Sequence, residues 1–325
     1  MKKLFVIGTS AGGMEALKAI CAGLPADFPG AVLVVMHIGA NESRLPTILS
    51  RNSQMPVSFA QDGQLVEEST IVIAPADRHL LVRREGERAR LALSHGAKEN
   101  FTRPAIDPLF RSAAAEFGNQ VVGVVLSGYL DDGTVGLKAI KECGGLAIVQ
   151  EPLHSPVPDM PSSAIDHVDV DLILEPDAIA LALLRIARGE LSDALAAPAD
   201  GVPEWIEVEN KFASNCGDMD DLQRIAVPSR YTCPECSGAL FEVVVGGIRR
   251  FRCHTGHSFT SEGLGKLQER AVEEALWSAL RALHEQAALA TQRSHEVSSL
   301  AAGGHQAAAH RATRAASIIR KLLVK

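Results

Sequence analysis

The chain has 325 residues, is 46% hydrophobic and 22% charged, and carries a net charge of −7 at neutral pH. That length allows two domains, that composition is ordinary for a soluble globular protein, and the acidic balance argues against wholesale nucleic-acid binding. No apolar run approaches the roughly 18 residues of a membrane span, so no membrane insertion is expected, and six cysteines in a chain this long do not make a disulfide scaffold.

The chain opens MKKLFVIGTSAGG. A basic start before an apolar run faintly suggests a secretory signal. Leu4–Ile7 is, however, well short of the roughly 7–15 residues such a signal needs, so it reads as a first strand and a cytoplasmic location is expected. Further apolar runs follow at Ala31–Met36, Thr70–Ala74, Val121–Leu126, Leu146–Val149 and Val168–Leu174. Most are too continuous to alternate, which suits strands covered on both faces. Helix-like segments separate several of them, at Met14–Ala22, Arg44–Arg51, Pro108–Phe117 and Val135–Glu142. This alternation predicts an α/β fold with a doubly wound, mainly parallel sheet. His79–Arg83 and Arg90–Ser94 flank REGERA and predict a polar-tipped hairpin beside it.

A helix over about 177–188 closes the first domain, 1–190. Residues 191–228 are rich in Pro, Gly, Asn and Asp with little periodicity and read as a linker holding at most one short ordered segment. A compact module follows at 229–262, then a helical tail at 263–325. In the tail, Leu276, Leu280, Leu283, Ala287 and Ala290 form one apolar stripe, which favours docking on the parent domain over a coiled coil. Gly303-Gly304 is expected to break the helix, with a second short one around Ile318–Leu323. The tail carries nine Lys/Arg against five Glu, a net of +4 that leaves −11 for residues 1–262; the basic end reads as a solvated helix terminus.

The first turn, Gly8-Thr-Ser-Ala-Gly-Gly13, admits two functions. A dinucleotide site would place a glycine where Ser10 stands and an acid at the end of the second strand, where His37 stands. A P-loop would follow its glycines with Lys-Ser/Thr, which this chain lacks. A serine on a sharp strand-to-helix turn instead presents its hydroxyl above the carboxyl edge of the sheet. It needs a base, which His37 offers from the next strand end, and a carboxylate to orient the base. Asp131 or Asp132, in the loop after Val121–Leu126, offers that carboxylate from a third strand end. Each residue alone has a plainer role, since turn serines bond backbone and Asp-Asp-Gly commonly caps a helix. The agreement of three strand ends is what favours a triad.

These segments resemble the catalytic domain of the chemotaxis protein-glutamate methylesterases (CheB), whose nucleophile turn reads G-[AT]-S-[TA]-G-G. The family's acidic loop, L-[ST]-G-M-G-x-D-G, is similar to Leu126–Gly133, LSGYLDDG, and on that pattern Asp132 is the acid. Ile73–Val82, Arg103–Ala114 and Asp159–Ile165 extend the likeness in chain order over about residues 3–188. The resemblance implies that Ser10 attacks a glutamate γ-methyl ester on a chemoreceptor cytoplasmic helix, that His37 relays the proton, and that Asp132 orients it. It also implies deamidation of receptor glutamines and the Tyr129 amide as an oxyanion donor, and it implies no catalytic cofactor. Two departures stand out. The family's Met-Gly is Tyr129-Leu130 here, and leucine resists backbone angles that glycine takes. The catalytic strand starts at residue 3, so no preceding receiver domain is expected and regulation would fall to a separate signalling protein. The alternative is a catalytically weak binding or scaffold protein that works through its C-terminal module and tail.

Within that module, Cys233-x2-Cys236 and Cys253-x3-His257 are separated by sixteen residues. Two short ligand pairs suit a structural, tetrahedral Zn²⁺ in a zinc ribbon, with four protein ligands leaving no open catalytic position. His254 is the rival fourth ligand, and Gly246-Gly247 marks a hairpin between the pairs. Similar C-terminal ribbons are appended to some CheB-like proteins. Cys21, Cys143 and Cys216 are expected to be buried or incidental.

Overall fold

The structure, a computed structural model, describes residues 3–39, 43–191, 201–296 and 299–324. Seven parallel strands form the main sheet: β1 (Leu4–Thr9), β2 (Ala31–Met36), β3 (Val57–Phe59), β4 (Thr70–Ile73), β7 (Val121–Val125), β8 (Leu146–Gln150) and β9 (Leu172–Leu174). Their order is β3-β4-β2-β1-β7-β8-β9. The chain thus builds outward from β1 to one edge, returns, and builds to the other edge from β7. The switch point lies between β1 and β7, where open α/β sheets bind ligands beyond the carboxyl ends of their strands.

Both faces of the sheet are buried, which is why the strands read as continuous apolar runs. On β1, Leu4 and Val6 face one core with α3 (Ile106–Phe117), α4 (Thr134–Glu142) and α5 (Asp159–His167). Phe5 and Ile7 face the other core with α1 (Met14–Gly23), α2 (Leu45–Leu49) and α6 (Pro176–Ala187). The hairpin of β5 (His79–Glu85) and β6 (Arg88–Ser94) forms its own two-stranded sheet, with Leu80, Val82, Ala89 and Leu91 in the first core.

Part of the stretch read as a linker is folded. Residues 192–200 lie outside the described residues, but α7 (Glu204–Ala213) and α8 (Met219–Ile225) follow. Ile206 packs into the first core, and Trp205 donates from Nε1 to Glu142 over 2.8 Å. The C-terminal module is a four-stranded antiparallel sheet in the order β10 (Ala226–Thr232), β11 (Ala239–Val245), β12 (Ile248–Cys253) and β13 (Ser258–Thr260). Gly246-Gly247 is the two-residue turn between β11 and β12.

Residues up to Gly263 form one compact unit and Leu264–Lys325 another. The second contains most of α9 (Ser261–Glu296) and all of α10 (Ser299–Leu323). The expected break at Gly303-Gly304 does not occur, because α10 runs through both glycines. Each glycine costs a helix about 1 kcal/mol, and the alanine-rich flanks offset that while Ala309, Ala312 and Ala316 bury one stripe. Among the described residues no helix is long and apolar enough to cross a membrane.

Candidate active site

Ser10 leaves the carboxyl end of β1, the strand beside the switch point. Its amide donates to the Ser127 carbonyl of the loop after β7 over 2.9 Å, and its carbonyl accepts from Gly13 over 3.2 Å. The turn needs its glycines. Gly12 has φ +77°, and a Cβ on Gly13 would lie 1.7 Å from the Thr9 hydroxyl. These constraints concern backbone geometry rather than phosphate binding, and they lift the Ser10 side chain toward the next strand end.

That strand end carries His37, whose amide bonds the Thr9 carbonyl over 3.1 Å. The imidazole is largely buried. Its Nδ1 lies 3.2 Å from Ser10 Oγ and its Nε2 2.8 Å from Asp132 Oδ2. An ionised carboxylate only accepts, so the imidazole proton belongs on Nε2 and the Nδ1 lone pair faces the serine hydroxyl. The arrangement matches the logic of a nucleophile, a base and an orienting acid.

Asp132 is 2% exposed and fully coordinated. Oδ2 also accepts from the Ile106 amide over 2.7 Å, while Oδ1 accepts from Asn100 Nδ2 over 2.8 Å and from the Asp107 amide over 3.2 Å. The two amides belong to the first turn of α3, whose N-terminus favours negative charge. Burial alone would raise this carboxyl, but the hydrogen bonds from His37, Ile106 and Asn100 outweigh it and hold the group below its ordinary value. Contact distinguishes the adjacent aspartates: Asp132 bonds His37. Asp131 turns to Thr260 of the C-terminal module, and burial pushes it up to about 6 despite that hydrogen bond.

The loop Ser127–Asp132 passes close to the serine: a Cβ on Gly128 would lie 2.7 Å from Ser10 Cβ. Leu130 stands where the family motif has glycine, and it adopts φ +66°, the left-handed conformation glycine takes without strain. Its amide donates to Asp159 Oδ2 over 3.4 Å. The Tyr129 amide makes no hydrogen bond among the described residues, and the Tyr129 side chain is exposed.

Asn100 and Asp107 bond Asp132, and no local sequence signal points to either. Asn100 Nδ2 bridges Asp107 Oδ2 over 3.0 Å and Asp132 Oδ1. Asp107 is completely buried, and desolvation, reinforced by the neighbouring Asp132, pushes it up to about 7. In the sequence Asp107 looks like a helix-start acid that complements the dipole; nothing local signals its second neighbour 25 residues on.

The cysteine cluster is also assembled. Ligand atoms of Cys233, Cys236, Cys253 and His257 all lie within 4.8 Å of one another; His254 is not among them. Each pair sits on a tight knuckle: Cys233 and Gly238 close one, with the Cys233 amide donating over 2.7 Å, and Cys253 and His257 the other, over 3.0 Å. Tetrahedral zinc, with Zn–S of about 2.3 Å and Zn–N of about 2.1 Å, requires ligand–ligand edges of about 3.6–3.8 Å. Cys236 and Cys253 sulfurs are 3.7 Å apart, and Cys253 Sγ is 3.6 Å from His257 Nδ1. The donor set therefore fits zinc. Of the other cysteines, Cys21 and Cys143 are buried and Cys216 is exposed.

Residues 5–183 match the CheB methylesterase family profile. The chain belongs to the CheB methylesterase family. A Leptospira interrogans protein provisionally named protein-glutamate methylesterase/protein-glutamine glutaminase is 37% identical over 187 residues, which is 57% of this chain and 95% of the relative. Protein-glutamate methylesterase/protein-glutamine glutaminase 2 of Methanosarcina acetivorans is 36% identical over 190 residues, 57% of this chain and 53% of the relative. The chain thus spans about half the length of the latter. The crystal structure of the Thermotoga maritima CheB methylesterase catalytic domain superposes with a TM-score of 0.56 at 32% identity, covering 57% of this chain and 99% of that one. The C-terminal module and tail lie outside the family match.

Proposed function

We propose that this chain hydrolyses γ-methyl esters of glutamate side chains in chemoreceptor cytoplasmic helices, and that it deamidates glutamines there by the same acyl chemistry. The observation that carries this reading is the continuous contact Ser10–His37–Asp132, at 3.2 and 2.8 Å. His37 Nδ1 takes the hydroxyl proton as Ser10 Oγ attacks the ester carbonyl. Asp132 steadies the imidazolium, which then protonates the departing methoxide so that it leaves as methanol. Water enters, gives a proton to His37 as its oxygen attacks the acyl carbon, and the imidazolium returns that proton to Ser10 Oγ as the glutamate leaves. The Tyr129 amide donates to the oxyanion, a contact worth about 3 kcal/mol in reactions of this kind.

The Cys233, Cys236, Cys253 and His257 set holds a structural zinc that organises β10–β13 and takes no part in the reaction. Protein purified without chelators contains about one zinc per chain on this reading. The chain works in the cytoplasm, with a separate signalling protein setting its activity.

The test is methanol release from a methylated receptor fragment, compared between wild type and Ser10→Ala. Wild type releases methanol and the variant does not; equal behaviour of the two would remove the esterase reading. A catalytically weak scaffold would need Tyr129-Leu130 to deform this loop, whereas Leu130 takes the left-handed conformation that glycine favours.

A further inference from the structure

The C-terminal module reaches the interior of the catalytic body through two arginines on one face of β12. Arg250 and Arg252 are each 1% exposed. Arg252 donates to Glu209 of α7 over 2.6 Å, and lies 3.1 Å from Glu99. Arg250 lies 3.1 Å from Glu209, 3.3 Å from Glu99 and 3.6 Å from Asp107 Oδ2. Arg111 of α3 completes the group, bonding both oxygens of Glu99 over 2.8 and 2.9 Å. Three guanidiniums thus face Glu99, Glu209 and Asp107, and the buried charges balance when all three carboxyls are ionised.

Asp107 connects this network to the triad. Its Oδ1 is taken by the amides of Gly133 and Gly136, over 3.1 and 2.7 Å. Its Oδ2 faces Asn100 Nδ2 and Arg250. A proton on Asp107 would therefore sit on Oδ2, donor against donor with Asn100. The Asn100 carbonyl oxygen is buried with no hydrogen-bond partner among the described residues. The orientation of this amide consequently depends on its two acceptors, Asp107 and Asp132.

We propose that Arg250, supplied by the C-terminal module, is a positioning residue for the triad: from 3.6 Å it favours the ionised, accepting form of Asp107, in which Asn100 is turned toward Asp132 and Asp132 is seated against His37. The charged groups facing Asp107 fit this role. Asp132, from the loop after β7, opposes its ionisation. Arg250 from β12 and Arg111 from its own helix favour it. Glu99 is engaged by the arginines, and buried His79 spends its ring nitrogens on the Ala97 carbonyl and the Ala105 amide, at 3.0 and 3.2 Å. Arg250 stands three residues before Cys253, so one strand carries both a member of the cysteine cluster and the contact to Asp107.

This proposal rests on the esterase reading only for its kinetic arm. Arg250→Met is expected to lower kcat by about 10- to 100-fold, the scale of a small misplacement in an active site, with KM little changed. The acidic limb of its pH–rate profile moves upward, because Asp107 takes up a proton more readily. Arg250→Lys keeps the charge and restores most of the rate. Asp107→Asn leaves Arg250 in place and produces a similar loss, so the claim can be judged even if Arg250→Met fails to fold. The two losses do not add when combined, as expected for groups acting through one contact.

Proton NMR supplies an arm independent of any substrate. The downfield N–H of His37 bonded to Asp132, assigned by its loss in His37→Ala, moves or broadens in Arg250→Met and Asp107→Asn but not in Arg250→Lys. Variants that lose thermal stability while keeping this resonance, the pH profile and kcat per folded molecule would overturn the proposal. A wild type without Ser10-dependent hydrolysis would remove the esterase reading, and the NMR comparison would still decide the role of Arg250.

Discussion

Asp132→Asn isolates the orienting function from simple charge. Asp132 receives four donors, two on each oxygen: His37 and Ile106 on Oδ2, and Asn100 and Asp107 on Oδ1. An amide of the same shape turns one of those oxygens into NH₂. Whichever way it is oriented, two donors confront a donor, and the lost pairing costs stability about 1–3 kcal/mol. The chemical consequence is larger when NH₂ faces His37. Nε2 then becomes the acceptor, the imidazole proton moves to Nδ1, and Nδ1 can no longer take the proton of Ser10, 3.2 Å away. Tautomer inversion of this kind costs about 10⁴ in kcat in serine hydrolases, or about 5.5 kcal/mol of barrier. The assay is methanol release under saturating substrate at pH 7, with a thermal melt to correct for folded fraction. A kcat within tenfold of wild type, in folded protein, would refute the reasoning.

Further outcomes follow from the same geometry. Gly128→Ala places a Cβ 2.0 Å from Met160 Sδ and 2.7 Å from Ser10 Cβ, and is expected to cut kcat by about 100-fold through displacement of the serine; unchanged turnover would contradict the close approach. Leu130→Gly keeps the left-handed backbone, so kcat should stay within about threefold of wild type, and a large gain would show that Tyr129-Leu130 deforms the loop. Burial alone would raise Glu99 and Glu209, yet the surrounding arginines hold both carboxyls below their ordinary 4.5, and Asp132 is likewise depressed. Their stabilisation is therefore complete above the unfolded values and drains away as pH falls below about 4. Melting temperatures measured from pH 6 to pH 3 should fall steeply at the acid end, and a flat profile would argue against the buried network.

The parts of this protein that could be read from its sequence are those whose signal is local. β1, β2, β7 and β8 are continuous apolar runs because both faces of the sheet are covered, and Ser10, His37 and Asp132 lie in the segments that leave three of them. The three-residue β3 has no run long enough to stand out. Helices α7 and α8 looked like linker because their few apolar residues, such as Ile206, Val208 and Phe212, are meaningful only against surfaces far away in the chain. The arginine network was hidden for the same reason. Arg250 and Arg252 alternate along β12 as on a solvated hairpin, while the Glu99 that buries them lies 151 residues before Arg250. Strand position alone left Asp131 and Asp132 equivalent; the family's loop pattern favoured Asp132, and it is Asp132 that bonds His37 while Asp131 turns to Thr260.

The proposed hydrolysis depends most directly on the nucleophilicity of Ser10. Treatment with a fluorophosphonate, followed by peptide mass spectrometry, should find one adduct per chain, on Ser10, with methanol release lost in step and labelling abolished in His37→Ala. An unlabelled Ser10 in active enzyme, or full esterase activity after Ser10 is modified, would contradict it.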